Sequence, residues 1–275
     1  MLYYAKYFNG DPMKTLRPLL FFVSMLLIVG LACSGGGTAP TQAPPPTQPV
    51  QVIPTEVPPE PTEVPPTEAP APTEPPASQS EQFFTEEFDD PLSNDWSVLT
   101  VTGSNDADPD KVTVEAQDGK LVWNFDSEYV YYYLFYDAFT YEDVKVAVSA
   151  DNRGKNNNNI SLICRYDPDI GWYEFNIANN GLYDIYYAEV TSSGEISYTR
   201  ITNGGSNSIK QGKEVNEYSI SCKGDELSLT INGDEVNTVT EKNYGLRDGQ
   251  VGVSVSSFNV LPILIEMDWI EISEP

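Results

Sequence analysis

Carboxylate and phenol groups are the main acid–base side chains of this 275-residue chain, because the sequence contains no histidine. The missing imidazole excludes Ser-His-Asp and Cys-His catalysis and His-ligated metal centres. Proton transfer would therefore have to use Asp, Glu, Tyr or Lys. Asp and Glu outnumber Lys and Arg by 41 to 15, which gives a net charge of −26. Such a chain repels phosphate, so we expect no nucleic-acid partner.

Two of the three cysteines lie in segments where apolar and polar residues alternate as they do in β-strands. Cys164 in SLICRY and Cys222 in YSISC are in phase with apolar neighbours, so both should face a core. In an exported domain, such a pair is expected to form a disulfide. Two buried free thiols are the alternative.

Residues 1–33 have the order of a bacterial lipoprotein signal. A positively charged start and an apolar run within 13–32 precede Cys33. The run of about 14 residues is shorter than the ~20 that a membrane-spanning helix needs. The junction VGLAC resembles a lipobox, so we predict lipidation at Cys33 and an exported protein anchored at the bacterial cell membrane or envelope surface. Residues 1–12 fit no part of this signal and indicate a start at the next methionine.

Residues 34–82 form a Pro/Thr/Glu-rich linker. They hold 15 of the 22 prolines, six Glu and no Lys or Arg, and PTEVPP occurs at 54–59 and again at 61–66. This composition cannot bury a core and favours extended polyproline II. We predict a disordered spacer between the lipid anchor and a folded domain.

Residues 83–275 alternate apolar and polar side chains with period 2, as in KVTVEA and DELSLTI. No window of comparable length has the i, i+3, i+4 spacing of a helix. Asp118-Gly119 and Asn232-Gly233 are dipeptides typical of tight hairpins. We therefore predict one all-β domain of roughly 13 to 15 strands, folded as a two-sheet antiparallel jelly roll behind the disordered linker.

Four segments of this domain carry a family resemblance. They are EEFDDPLSNDWSV near its start, L-x-L-x-x-N-G at Leu227–Gly233, G-x-V-G-V at Gly249–Val253 and the closing IEMDWIEI. Together they resemble the concanavalin A-like lectin/glucanase superfamily, and most closely its 3-keto-disaccharide hydrolase-like domain. The resemblance implies one convex and one concave sheet, with sugars bound on the concave face or at loops on its edge. Its motifs are structural, so they indicate a fold more strongly than a function.

The chain supplies the aromatic and polar side chains that a sugar-binding face needs. In EYVYYYLFYDAFTY, alternate tyrosines share one strand face, and CRYDPDIGWYEF predicts a hairpin with a tryptophan at its tip. We expect ligand contacts from residues in or next to these two segments, namely Tyr131, Tyr133, Arg165, Trp172, Tyr173, Glu174 and Asn176. Alternatively, the tyrosines are ordinary sheet residues, and Arg165 and Glu174 form a cross-strand ion pair that points away from the core.

The predicted function is non-catalytic binding of a carbohydrate or another extracellular polymer, with membrane contact only through the lipid anchor. One alternative is a glycoside or keto-sugar hydrolase of the same superfamily. Another is a structural or adhesive module that binds protein.

The segment Glu266-Met-Asp268-Trp-Ile-Glu271 matches the E-x-D-x-x-E pattern of laminarinase- and lichenase-type hydrolases. In a plain strand, Glu266 and Asp268 share a face and Glu271 takes the other, which separates carboxylates that a retaining enzyme needs at about 5 to 5.5 Å. We therefore predict no catalytic residue here. Asp268 also resembles the closing-strand carboxylate that holds a structural calcium in many members of the superfamily. No cofactor is required, and calcium at Asp268 is the one metal that the resemblance implies.

The lipid anchor gives a first testable prediction. Cys33→Ala should abolish acylation, because the cysteine provides the acceptor atom, and should move the protein to the aqueous phase in detergent partition. Intact-mass measurement checks this, and equal masses apart from the substitution would contradict lipidation.

Overall fold

Alternating apolar residues build two β-sheets in the computed structural model, which describes residues 2–4 and 80–275. The predicted signal, Cys33 and the linker as far as residue 79 lie outside the described residues apart from the short strand at 2–4. Their roles stay predictions, as does the domain boundary at residue 83. Within the described part, no helix is long and apolar enough to cross a bilayer.

The described residues form strands β1 to β16 and one 3-10 helix, Pro109–Lys111. In chain order the strands are β1 (Leu2–Tyr4), β2 (Phe84–Glu86), β3 (Trp96–Thr102), β4 (Val112–Gln117), β5 (Lys120–Phe125), β6 (Val130–Tyr141), β7 (Val144–Asn152), β8 (Asn158–Asp167), β9 (Gly171–Ala178), β10 (Leu182–Val190), β11 (Ile196–Gly205), β12 (Val215–Lys223), β13 (Glu226–Ile231), β14 (Asp234–Thr240), β15 (Gly249–Ser257) and β16 (Ile263–Ser273).

The strands form two eight-stranded sheets. Sheet A has the order β1-β3-β6-β15-β8-β9-β10-β11, and sheet B has the order β14-β13-β12-β7-β16-β5-β4 with β2 paired to β16. Pairing is antiparallel except between β1 and β3. The predicted all-β, two-sheet antiparallel jelly roll is confirmed.

Two predicted hairpin turns have the backbone that their sequences favour. Asp118 and Gly119 join β4 to β5 with φ of 54° and 70°, and Asn232 and Gly233 join β13 to β14 with φ of 51° and 86°. Positive φ at both central residues is the signature of the two-residue turn whose twist matches the flanking strands.

The main core lies between the sheets. It includes Leu134, Leu162 and Phe175 from sheet A and Trp123 and Ile265 from sheet B, all buried. A second buried cluster lies on the other face of sheet A. Central strands of sheet A are therefore buried on both faces, which explains why β6 reads as a nearly continuous aromatic and apolar run.

The predicted disulfide is confirmed. Cys164 on β8 of sheet A is bonded to Cys222 on β12 of sheet B, with their Cα atoms 6.6 Å apart. Both residues are fully buried in the main core. The bond therefore ties the two sheets together through the core.

Removing this bond gives a second prediction. The double variant Cys164→Ala/Cys222→Ala should lower the free energy of unfolding by about 4 kcal/mol, because the bond closes a 58-residue separation in the unfolded chain. Urea unfolding measures the change. A reductant should lower the midpoint of the parent protein and leave that of the variant unchanged, and a parent protein insensitive to reductant would contradict the prediction.

Candidate functional site

The candidate site lies on the outer face of sheet A, the face turned away from sheet B. Its buried cluster consists of Leu99, Val101, Tyr131, Tyr133, Phe135, Ile163, Trp172, Ala188 and Ile196. Because alternate residues of a strand take opposite faces, these side chains interleave with those of the main core along the same strands. Tyr131, Tyr133 and Phe135 lie here, whereas Leu134 and Tyr136 belong to the main core.

The outer face of sheet A is concave. Tyr133 on β6 and Tyr198 on β11 lie five strand spacings apart in the sheet order, about 24 Å in a flat sheet. Their hydroxyl oxygens nevertheless lie 2.7 Å apart and share a hydrogen bond. Two tyrosine side chains cannot span the flat distance, so sheet A must curl toward this face.

Glu174 is the centre of the polar contacts on the concave face. Its Oε1 accepts hydrogen bonds from Ser161 Oγ at 2.8 Å and from Asn176 Nδ2 at 3.3 Å. Its Oε2 accepts from Trp172 Nε1 at 3.0 Å and from Tyr133 Oη at 3.1 Å. Each carboxylate oxygen therefore has two donors. The four partners come from β6, β8 and β9.

Burial controls the electrostatics of this carboxylate. Glu174 is 2% exposed, and desolvation raises its pKa above the ordinary value of 4.5, while the hydrogen bonds from Trp172, Ser161, Asn176 and Tyr133 act in the opposite direction. Desolvation also raises the pKa of Tyr198, helped by the nearby Glu174 charge. The tyrosine therefore stays a neutral phenol at physiological pH.

Several less buried side chains lie beside Glu174 on the neighbouring strands β10 and β11. Tyr186 on β10 pairs with Glu174, and Arg200 on β11 pairs with Tyr186. Arg200 lies over the Tyr186 ring at 5.7 Å, and its Nε lies 2.7 Å from Asp184 Oδ1. The Tyr186 and Tyr198 ring centroids are 6.1 Å apart. These four residues could offer an aromatic plane, a cation and a carboxylate to a ligand.

The sequence reasoning missed Asp184, Tyr186, Tyr198 and Arg200. The alternation in LYDIYYAEV was the available signal, since Asp184 and Tyr186 take one phase and the buried Ile185 the other. The alternation predicts the face on which each side chain lies, but it does not predict which strands are neighbours in the sheet. Tyr131, Tyr133, Glu174 and Asn176, by contrast, do lie together on this face, and their role in binding stays a prediction.

The expected position of Trp172 is wrong. It was predicted at an exposed hairpin tip, but the tip is formed by residues 168–170, where Ile170 is 49% exposed. Trp172 begins β9 and is completely buried, with its ring 5.5 Å from that of Tyr133. Trp172 can be buried because its indole nitrogen has a hydrogen-bond acceptor inside the aromatic cluster, the Glu174 carboxylate.

Tyr173 lies on the opposite face from the candidate site. It is buried in the main core and donates its hydroxyl to Glu241. The expected ligand contact from Tyr173 is therefore contradicted, because alternation along β9 sends Tyr173 inward when Trp172 and Glu174 point outward.

The alternative of an Arg165–Glu174 ion pair is also wrong. Arg165 has a φ of 54° at an irregularity between β8 and β9, which turns its side chain away from Glu174. Its buried guanidinium donates to the carbonyl oxygens of Glu142, Leu246 and Gly224 at 2.8 to 3.2 Å. These contacts join three loops, so Arg165 is not a concave-face ligand group.

A β-bulge changes the faces predicted for the E-x-D-x-x-E segment. The register of β16 against β7 shifts between Met267 and Trp269, so that both Met267 and Ile270 are buried while Asp268 between them is exposed. Glu271 consequently returns to the outer side of sheet B with Glu266. The two glutamates pair with Asp151 and Ala147 of β7, which are four residues apart, so they lie roughly 13 Å apart along the strand, which is too far for a retaining pair.

The calcium prediction at Asp268 remains a prediction. Asp268 is exposed at the bulge in β16. Within residues 2–4 and 80–275, no group of three or more Asp, Glu, His or Cys side chains is arranged to hold a metal ion. Any calcium there would need backbone carbonyl ligands as well.

One family model matches most of the sandwich. It is described as a 3-keto-alpha-glucoside-1,2-lyase-like domain and covers residues 84–261. No curated protein matches the chain.

Several solved structures resemble the fold at low sequence identity. A Bacteroides ovatus GH16 protein of a mixed linkage glucan PUL, in complex with a G4G4G3G product, has a TM-score of 0.51 and 12% identity over 69% of this chain and 99% of that chain. A Bacillus licheniformis beta-glucanase has a TM-score of 0.50 and 13% identity over 72% and 100%. A Bacillus subtilis protein of unknown function with a galectin-like fold has a TM-score of 0.50 and 10% identity over 71% and 97%. These similarities support the jelly-roll fold.

The buried carboxylate gives a pH-dependent prediction. Because the raised pKa means that folded Glu174 holds its proton more tightly than the unfolded residue does, stability falls as pH rises above 4.5 and through the folded pKa. Glu174→Gln cannot titrate, so the parent protein should lose stability relative to this variant as pH increases. Urea unfolding from about pH 4 to about pH 8 measures the difference.

The matched control is Glu189→Gln, which changes an exposed carboxylate on β10. A parent protein that gains stability relative to Glu174→Gln as pH rises would mean that the four donors outweigh burial, which would contradict the prediction.

Proposed function

The chain belongs to the 3-keto-alpha-glucoside-1,2-lyase-like domain family, and we propose that its sandwich binds a carbohydrate on the concave face of sheet A without transforming it. The observation that carries this proposal is the hydrogen bonding of Glu174. All of its roughly four lone-pair sites are occupied by donors from the protein. A carboxylate in that state positions its donors and has no site left to take a proton from a substrate.

The ligand would contact the more exposed side chains beside Glu174. Tyr186 offers a ring for the C–H face of a sugar, and Asp184 and Arg200 offer an acceptor and donors for its hydroxyls. The Glu174 contacts hold Trp172 and Tyr133 in fixed orientations behind this surface. Fixed aromatic groups reduce the entropy that is lost on binding.

Carbohydrate is also the ligand class that the structural neighbours suggest. The Bacteroides ovatus protein is in complex with a G4G4G3G product, and the Bacillus licheniformis protein is a beta-glucanase. The family description names a keto-glucoside. We therefore propose a glucan-type or modified glucoside ligand for this chain.

The proposal extends to location and metal. An export signal with lipidation at Cys33 and a Pro-rich linker over residues 34–82 would display the sandwich on the bacterial envelope. Calcium at Asp268 would be a structural ion far along the chain from the Glu174 network. Neither feature is needed for sugar binding on the concave face.

A second candidate function is the 1,2-elimination that the family description names. Burial raises the pKa of Glu174, which moves the carboxylate toward the range useful for a general base. For this step a substrate would have to displace one of the four donors to Glu174. The freed carboxylate oxygen would then take the proton from C2 of a 3-keto-glucoside, the bond from C1 to the leaving oxygen would break, and Tyr133 would protonate that oxygen. The proton would return from Glu174 to Tyr133 across their 3.1 Å hydrogen bond.

Substitution of Tyr186 tests the binding proposal. Tyr186→Ala should weaken the affinity for the best ligand on a glycan array roughly tenfold, because it removes the half-buried ring that the sugar would contact, while changing the melting temperature little. Calorimetric titration measures the affinity. Thr199→Ala is the matched control, since Thr199 is exposed on β11 next to Arg200 but takes the other face.

Equal affinities for parent and Tyr186→Ala would contradict the proposed surface. Release of an alcohol from a 3-keto-glucoside by the parent protein, lost in Glu174→Gln, would replace the binding proposal with the elimination.

A further inference from the structure

A separate cavity of about 260 Å³ opens at one edge of the sandwich. Its lining combines β2 of sheet B with the start of β3 and with β6 of sheet A, and it shares no residue with the Glu174 network. The lining includes Glu81, Phe84, Glu86, Asp95, Trp96 and Tyr136. The volume lies below the roughly 300 to 1,000 Å³ of drug-sized pockets, so it suits a small molecule.

Three aromatic residues line this cavity, and Tyr136 is the most deeply buried of them. The Tyr136 ring centroid lies 4.9 Å from that of Phe84 and 5.3 Å from that of Trp96. Both neighbours are tilted by a little over 50° against Tyr136, so the three rings do not stack into a flat column. Tyr136 also donates its hydroxyl to the Glu81 carbonyl oxygen at 2.8 Å, which fixes its orientation. Electron-rich ring faces of this kind attract cations.

The charged side chains of the lining are all acidic. Glu81, Glu86 and Asp95 contribute carboxylates, and the lining contains no Lys or Arg. Asp95 accepts a hydrogen bond from Ser80 Oγ at 2.8 Å, and Glu86 accepts one from the Phe88 backbone at 3.1 Å. Burial raises the pKa of Tyr136, and the charges of Asp95, Glu81 and Glu86 raise it further, while its hydrogen bond to the Glu81 carbonyl oxygen acts in the opposite direction. A cation inside the cavity would relieve this repulsion.

We propose that this cavity binds a small organic cation with a methylated ammonium group, for which choline serves as the probe. The rings of Phe84 and Trp96 contact the methylated head, and the three carboxylates balance its charge. Methylated ammonium groups bind to aromatic walls in this way because they are weakly hydrated cations. The carboxylates repel phosphate, so the ligand is the free solute and not the phosphocholine headgroup of a lipid.

Calorimetric titration of the full chain tests the proposal. Choline should bind saturably, and its neutral isostere, in which carbon replaces the quaternary nitrogen, should bind roughly tenfold more weakly. Phosphocholine should also bind more weakly than choline. Equal binding of choline and the neutral isostere, or no binding of choline, would overturn the proposal. Phosphocholine binding as tight as choline binding would overturn the choice of a free solute.

A pair of charge variants locates the site. Asp95→Asn should weaken choline binding roughly threefold or more, because it removes one of the three carboxylates and keeps the acceptor for Ser80. Asp90→Asn removes the same charge from an exposed residue outside the lining and should leave affinity unchanged. Equal losses in both variants would mean that choline responds only to the overall acidity of the protein.

Discussion

Burying the Glu174 carboxylate without a cationic partner is the constraint on which the concave face of sheet A depends. An ionised carboxylate loses far more hydration free energy on burial than a single hydrogen bond returns, so several donors must converge on it. Two come from its own strand at Trp172 and Asn176, and two come from Ser161 and Tyr133 on other strands. Losing one partner would leave part of a buried charge unpaired, so this face has little freedom to rearrange.

The strand order makes this convergence feasible. Tyr133 on β6 and Glu174 on β9 are separated in sheet A by β15 and β8. On the face that they share, the row of paired positions that starts at Tyr133 continues with small side chains, since Ser254 of β15 pairs with both Tyr133 and Ser161. Large side chains at these positions would block the approach of the tyrosine hydroxyl. The small residues of β15 and the curl of sheet A are therefore both needed for a contact of 3.1 Å.

The period-2 pattern predicted much of this architecture because a strand has only two faces. It gave the all-β class, the hairpin turns, the core position of Cys164 and the shared face of Tyr131 and Tyr133. It failed at Arg165 and around Asp268, where an irregularity inserts an extra residue and reverses the phase that follows. Neither segment carries a local signal of this change, because the irregularity is defined by the register with a neighbouring strand. The predicted position of Trp172 was wrong for a related reason. Its indole nitrogen is paired with Glu174 only in the folded sheet, so the sequence pattern did not show that the side chain could be buried.

The irregularity at Arg165 also links the stability of the sandwich to the geometry of the candidate site. Cys164 bonds β8 to β12 through the core, and the next residue turns its guanidinium to carbonyl groups of three loops, including Gly224 just beyond β12. Gly249 lies against the Arg165 backbone so closely that an added Cβ would collide with it. The end of β8 is therefore held covalently, by hydrogen bonds and by close packing. The β8–β9 hairpin leaves from this fixed end and carries Trp172 and Glu174, so the same anchor that ties the sheets together sets where the buried carboxylate lies.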